Sequence, residues 1–305
     1  MALITLLESS KYYQNPLQRG IVELFPSNSA VLQYLPFKSI DGNAYSYNQE
    51  QTLPGIGFRA VNEAYDESHG VINPVTETLC IGGGLMKIDR AQIKMQGSNG
   101  TDILSSQIAM KSKAMSLRVT KEFIKGDTTA DPEGFDGLQK RVSGDQLIAA
   151  GSTAGGDALT LDKLDELIDS LDFTPSVLFM NKTLRRKVNK LMRAAGQAQE
   201  TVSGVFGKQV PAYAGIPIGL IGKDNAGAEI LDFDEECPGG GDAVGSSVYA
   251  VHFGADGVCG LQNGKMEVED QGYTEIWRKI LVEWFCGLAV FHPRSVARLH
   301  GVKNA

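Results

Sequence analysis

The sequence is short of most features that announce a chemistry. It has four cysteines in 305 residues, Cys80, Cys237, Cys259 and Cys286, and none stands at a CxxC or Cys–His ligand spacing. That scatter fits reduced thiols in a cytoplasm rather than a disulfide framework or a zinc site. Long apolar runs are also missing. The longest, residues 280–291, is interrupted by Glu283 and is too short to cross a bilayer, so no membrane segment is expected. The opening residues, MALITLLESSKYY, have a brief apolar run, no basic region before it and an early Glu8, unlike a signal peptide. Positive charge is in deficit: 29 Lys and Arg stand against 36 Asp and Glu, for a net charge of −7. The chain as a whole has no electrostatic footprint for duplex nucleic acid or for an anionic membrane.

Catalytic constellations are missing too. There is no GxSxG elbow, HExxH pair or Walker loop, and no Ser-His-Asp or Cys-His arrangement that spacing supports. Of four histidines, His252 falls in an apolar strand and His292 and His300 flank the last strands, where core or capping roles are expected. The carboxylates are spread over helix faces and loops, so no acid–base pair can be nominated. The sequence therefore nominates no catalytic residue, cofactor or metal, and the chain is expected not to be an enzyme. What remains is ordinary globular material, 42% hydrophobic and 21% charged, long enough for two domains or one large one.

The strongest pattern is residues 101–137. Thr101 and Asp102 follow the breaker QGSNG as N-cap candidates. Leu104, Ile108, Met115, Val119 and Phe123 then form one apolar stripe, and Gly126 stops it. Roughly 23 residues at about 1.5 Å each predict a rod of some 35 Å, a spine lying across a domain. Its other face carries Lys111, Lys113, Arg118, Lys121 and Lys125, opposed only by Glu122. This is either a solvated face or a basic ridge that meets an acidic neighbour. The loop GDTTADPEGFDG that follows has four acidic side chains, but it lacks the alternating ligands and closing Glu of an EF-hand.

A helix ending FIKGD, an acidic Gly-rich loop and then GFDGLQKRV resemble the spine helix and following loop of tailed-bacteriophage major capsid proteins. These have the Hong-Kong-97-type fold that encapsulins share. The order of the rest of the chain agrees with the resemblance. Residues 1–36 read as an arm with two short helices, 16–25 and 29–35, each ending at a proline. Residues 37–49, with alternating Tyr45 and Tyr47, and 75–81 read as strands. Between them lie about 25 residues rich in Gly, Pro, Asn and acids, with isolated Ile56, Phe58, Val61, Tyr65 and Val71. The span 37–95 is read as a projecting two-stranded ribbon that needs a partner, with a partly disordered surface loop as the alternative. Gly82, Gly83 and Gly84 are expected to form a bend at its base, since no phosphate-loop pattern follows them.

After the spine, GLQKRV and DQLIAAGS read as short strand or turn pieces. Thr160 is expected to cap a helix with Leu161, Leu164, Leu167, Ile168 and Leu171 inward and Asp162, Asp165, Glu166, Asp169 and Asp172 outward. SVLFM is a buried strand. Asn181 caps a second helix that carries Lys182, Arg185, Arg186, Lys187, Lys190 and Arg193. The acidic and basic helices pair with each other or, in a ring of copies, with the next copy; nucleic-acid binding by the basic helix is the competing reading. A strand through the GIPIG segment follows, then an exposed acidic loop at 232–246. Asn263-Gly264 predicts a hairpin turn, and long strands with a corner at Pro293 close the chain.

The resemblance implies an α+β protein of Hong-Kong-97-type capsid fold, with an N-terminal arm, extended β-ribbon loop, long spine helix, peripheral domain and axial domain. The implied divisions are an arm at 1–36, the extended loop and its base at 37–95, a peripheral domain with the spine helix at 96–150, an axial domain at 151–262 and return strands at 263–305. It further implies self-assembly into pentamers and hexamers of an icosahedral head shell around the genome of a double-stranded DNA phage, in the virion after assembly in host cytoplasm. Expected partners are sister copies and, around them, a portal, scaffolding protein, maturation protease or decoration protein. Packaged DNA would be contacted weakly and without sequence preference. Inter-subunit contacts are expected at Tyr45, Tyr47, Phe58, Arg59, Tyr65, Lys111, Lys113, Arg118, Lys121, Lys125, Arg185 and Arg186. Some relatives cross-link through a lysine in the extended loop; here no Lys lies between Lys38 and Lys87, so that chemistry is not expected. An encapsulin-like nanocompartment shell is the alternative function, and an unrelated α/β enzyme the third.

Overall fold

The structure, a computed structural model, describes residues 4–5, 29–95, 103–196, 198, 200–204, 207 and 209–304. Strand β1 (Ile4–Thr5) precedes helix α1 (Ala30–Tyr34), which begins because the Ser29 hydroxyl accepts from the Leu32 amide and ends where Pro36 opens β2 (Pro36–Ser39). The other short helix expected in the arm, 16–25, lies outside the described residues. Strands β3 (Ala44–Thr52) and β4 (Val71–Thr78) pair antiparallel as the ribbon, with Tyr47 opposite Val75.

Strand β5 (Cys80–Asp89) corrects the bend expected at Gly82–Gly84. The glycines sit inside a ten-residue strand, because a Cβ at Gly84 would collide with the Lys111 side chain and one at Gly83 with the Val282 carbonyl. Gly82 and Gly84 face the spine, at Met115 and Lys111, while Gly83 lies against β13, the neighbouring strand. After α2 (Arg90–Met95) comes the spine, α3 (Ile103–Lys125). Its expected caps, Thr101 and Asp102, lie outside the described residues. The buried side is wider than the apolar stripe: Ser112, Ser116 and Thr120 are buried beside Ile108, Met115, Val119 and Phe123. Thr120 meets the Ser29 hydroxyl at 2.5 Å, which fastens α1 to the spine. GLQKRV contains a one-turn helix, α4 (Leu138–Arg141), rather than a strand.

The second half alternates. Strand β6 (Leu147–Ala149) leads to α5 (Leu161–Asp169), capped by Thr160. Then come β7 (Val177–Met180) and α6 (Lys182–Ala194), where the Asn181 carbonyl oxygen of the side chain accepts from the Leu184 amide at 2.7 Å. Strands β8 (Glu200–Ser203), β9 (Gln209–Tyr213), β10 (Ile216–Leu220) and β11 (Gly245–Val251) follow. Strands β12 (Val258–Thr274), β13 (Trp277–Val290) and β14 (Val296–Lys303) close the chain.

Two large sheets result. One has the order β1-β2-β12-β13-β5 and lies against the spine; the other runs β6-β14-β11-β7-β10-β9-β8, with α5 and α6 packed on it. Phe123 of the spine reaches the second sheet, 6.1 Å from the Phe179 ring, so one core passes beneath both. Asn263-Gly264 is not the hairpin turn. It is a bulge inside β12, with Gly264 at φ 71°, and the chain reverses at Glu275-Ile276, where Thr274 pairs with Trp277. The acidic 232–246 loop is not wholly exposed either. Glu235 is buried, with its Oε2 2.8 Å from Arg298 Nη2, and Arg298 Nε donates to Ser247 at 2.9 Å. The ion pair and the Ser247 hydroxyl both act on Oε2 and offset part of the cost of burying the charge, while Oε1 is buried without a partner among the described residues.

Candidate functional site

The candidate site is an exposed surface on the ribbon rather than a pocket. Along β3 and β4 the alternation of side chains puts Tyr45, Tyr47 and Gln49 on one side, and that side lies on the body of the same chain. Phe291 receives both rings, edge-on, at 6.1 Å from Tyr45 and 4.9 Å from Tyr47. Tyr47 Oη and Gln49 Nε2 both donate to the Val290 carbonyl, at 3.0 and 2.6 Å. Arg141 grips Glu77 with both terminal nitrogens, Nη2 to Oε2 at 2.7 Å. Burial first, and then the Glu77 charge, push the Tyr47 hydroxyl up to about 12. The root of the ribbon is thus fixed by hydrogen bonds, rings and an ion pair.

The tip is different. From residue 52 to residue 74 every residue is exposed. Leu53, Ile56 and Val61 are 79%, 92% and 88% exposed and Phe58 entirely so. Its internal bonds fix a shape without covering these side chains. Arg59 lies over the Tyr65 ring at 5.1 Å and donates to the Glu63 carbonyl at 3.1 Å, while Ser68 donates to the Gly55 carbonyl at 2.6 Å. The loop is formed and leaves a contiguous set of apolar side chains uncovered.

The expected basic ridge on the spine resolves residue by residue. Arg118 meets Glu122 and Asp131 at 2.8 and 2.6 Å, Lys121 meets Asp224 at 3.0 Å and Lys125 meets Asp234 at 2.8 Å, so these carboxylates belong to the same chain. Lys111 lies over Gly84 and Lys113 is exposed. On α6, Arg186 is exposed and Arg185 half-buried. The loop after the spine is closed by Lys140, whose Nζ reaches Asp127 at 2.5 Å and Asp136 at 3.0 Å. That hydrogen bond from Lys140, followed by bonds from Thr129, holds the Asp127 carboxyl down at about 2. Sequence reasoning passed over Glu77 with Arg141 and over Phe291; the only signal was a charged position in an otherwise alternating strand. Among the described residues no group of three or more His, Cys, Asp or Glu side chains could hold a metal, and no helix is long and apolar enough to cross a membrane.

Comparison with known proteins reads this arrangement. The family model described as major capsid protein GP7 matches residues 14–161. No curated protein sequence matches the chain. Among solved structures, the chain is similar to the holo-SrpI encapsulin complex from Synechococcus elongatus PCC 7942, with a TM-score of 0.67 and 19% identity over 90% of this chain and 88% of that one. It is similar to the capsid of the empty GTA particle, with a TM-score of 0.66 and 15% identity over 90% of each. A chain from Microbacterium phage Oxtober96 gives 0.62 and 14%, over 90% of this chain and 91% of that one. The fold is therefore the Hong-Kong-97-type capsid fold, which this chain shares with those structures. The match to the major capsid protein model spans residues 14–161, a little under half of the chain.

Proposed function

We propose that this chain closes the icosahedral head of a tailed double-stranded DNA phage by laying its ribbon tip over a sister subunit. The observation that carries the reading is the tip itself: Leu53, Ile56, Phe58, Val61 and Tyr65 are shaped but uncovered, on a root that the chain anchors firmly. Phe58, Arg59 and Tyr65 enter the neighbour's surface, and Tyr45 and Tyr47 hold the angle at which the tip leaves. Each contact can be weak, because a closed shell repeats it in every copy. The negative net charge suits a wall that holds packaged DNA loosely. Portal, scaffolding, maturation and decoration proteins belong to the same reading as further partners, with assembly in the host cytoplasm and the finished shell in the virion.

Negative-stain microscopy of the expressed protein tests this, with spherical particles or ring-shaped capsomers expected. A monodisperse monomer at high concentration would contradict it. A nanocompartment shell is the second reading, favoured by the structural similarity to the encapsulin complex. Particles that retain a folded protein and no nucleic acid would decide for it.

A further inference from the structure

Helices α5 and α6 lie side by side on one face of the seven-stranded sheet, since Leu164 and Leu167 of one and Leu184, Val188 and Met192 of the other share one core. Their outward faces carry opposite charge and do not use it on each other. α6 has six cationic side chains, Lys182, Arg185, Arg186, Lys187, Lys190 and Arg193, and no carboxylate. Among the described residues none of the six forms an ion pair. Lys187 donates to the Lys303 carbonyl at 2.8 Å, Arg186 to the Thr183 hydroxyl at 3.3 Å and Arg193 to the Asn189 carbonyl at 3.0 Å. The Nε of Arg185 is buried with no partner. Like charges at spacings of three and four, as at Lys182, Arg186, Lys190 and Arg193, repel within a helix. Lys182, at the first position, also faces the positive end of the dipole. The arrangement works against the free subunit.

α5 is the complement. Asp162, Asp165, Glu166 and Asp169 face outward, and Asp145 lies beside them in the same groove. Lys163 answers only Glu166, at 2.7 Å, and Asp165 accepts from the Tyr213 hydroxyl at 2.6 Å. Among the described residues Asp145, Asp162 and Asp169 have no cationic partner. Taking the shell reading as its basis, we infer that the cationic face of α6 docks on the carboxylates of α5 in a second copy, so that charge complementarity sets the order of subunits around a ring. A second copy fits better than nucleic acid. It brings the missing carboxylates in a one-to-one ratio, whereas α6 has no aromatic side chain for base stacking and belongs to a chain of net charge −7.

The test is a charge reversal with a compensating swap in the full chain. R186E/K190E changes two exposed positions on α6; it is expected to keep the wild-type circular dichroism and lower particle yield at least tenfold. Adding E166K/D169K on α5 is expected to restore particles, because every copy again presents complementary faces. Undiminished particles with R186E/K190E would overturn the inference while leaving the shell reading intact. So would a loss that the swap fails to rescue, and parallel loss of binding to a duplex DNA fragment would then assign the face to nucleic acid. If the reversal unfolds α6, the neutral R186Q/K190Q replaces it. That variant's assembly should depend less on salt than the wild type's, and an unchanged salt dependence would overturn the proposal. A wild-type chain that builds no shell at all is a different result, and it would remove the shell reading first.

Discussion

Strand β11 and the ribbon tip are both rich in apolar side chains and have opposite fates. All seven residues of β11 are buried, between β14 on one side and β7 on the other. The tip, residues 52–74, buries none. The difference is one of partners rather than composition: β11 finds its cover at Val177, Phe179 and Val296 of the same chain, while no described residue buries the tip. One region closes a core within the subunit, and the other leaves its apolar side chains open. The ribbon root stands between them, with Tyr47 and Glu77 tying a projecting element to the body.

The comparison can be broken most severely by removing the tip. Replacing residues 55–68 with a short Gly-Ser turn is expected to abolish particles in electron micrographs while leaving the subunit's thermal midpoint where it was. In the opposite direction, Leu164→Ala opens a cavity in the core under α5 and should cost about 2–5 kcal/mol in urea unfolding, whatever happens to assembly. The root lies between the two. Arg141→Met leaves Glu77 without its cation in a half-buried setting, and a loss of about 3 kcal/mol is expected. It should appear as faster amide exchange in β3 and β4 and unchanged exchange in β11. The smallest effect concerns the loop after the spine. Asp127 has a depressed pKa of about 2 against an ordinary 3.8, so its contribution is complete above about pH 4 and is lost as pH falls through about 2. Amide exchange at residues 127–137 should rise over that window, and K140A should weaken the dependence, with the Thr129 bonds sustaining what is left.

What could be read in advance follows the range of the interactions. Helices α3, α5 and α6 are written in local spacing, and Thr160 caps α5 and Asn181 caps α6 within three residues. The ribbon shows in the alternation of Tyr45 and Tyr47 and in the partnerless apolar residues between the strands. Long-range pairing was hidden. Asn263-Gly264 carries a hairpin signature, but the pairing of β12 along β13 continues past it and makes it a bulge. Gly82–Gly84 read as a bend because nothing local shows that they pair with Trp284, Glu283 and Val282 about two hundred residues on. Glu235 looked solvated because its partner, Arg298, is 63 residues away. Of the candidate contact surface, the tip was legible as unsatisfied sequence, whereas the docking of Tyr45 and Tyr47 on Phe291 required the fold.

The central claim is that the tip is covered only by a sister subunit, and hydrogen exchange read by mass spectrometry measures this directly. Peptides spanning residues 53–70 should exchange within seconds in dissociated subunits and become protected in intact particles, while β11 peptides remain protected in both. Equal exchange of the tip in the two states, or protection already present in the lone subunit, would contradict the account.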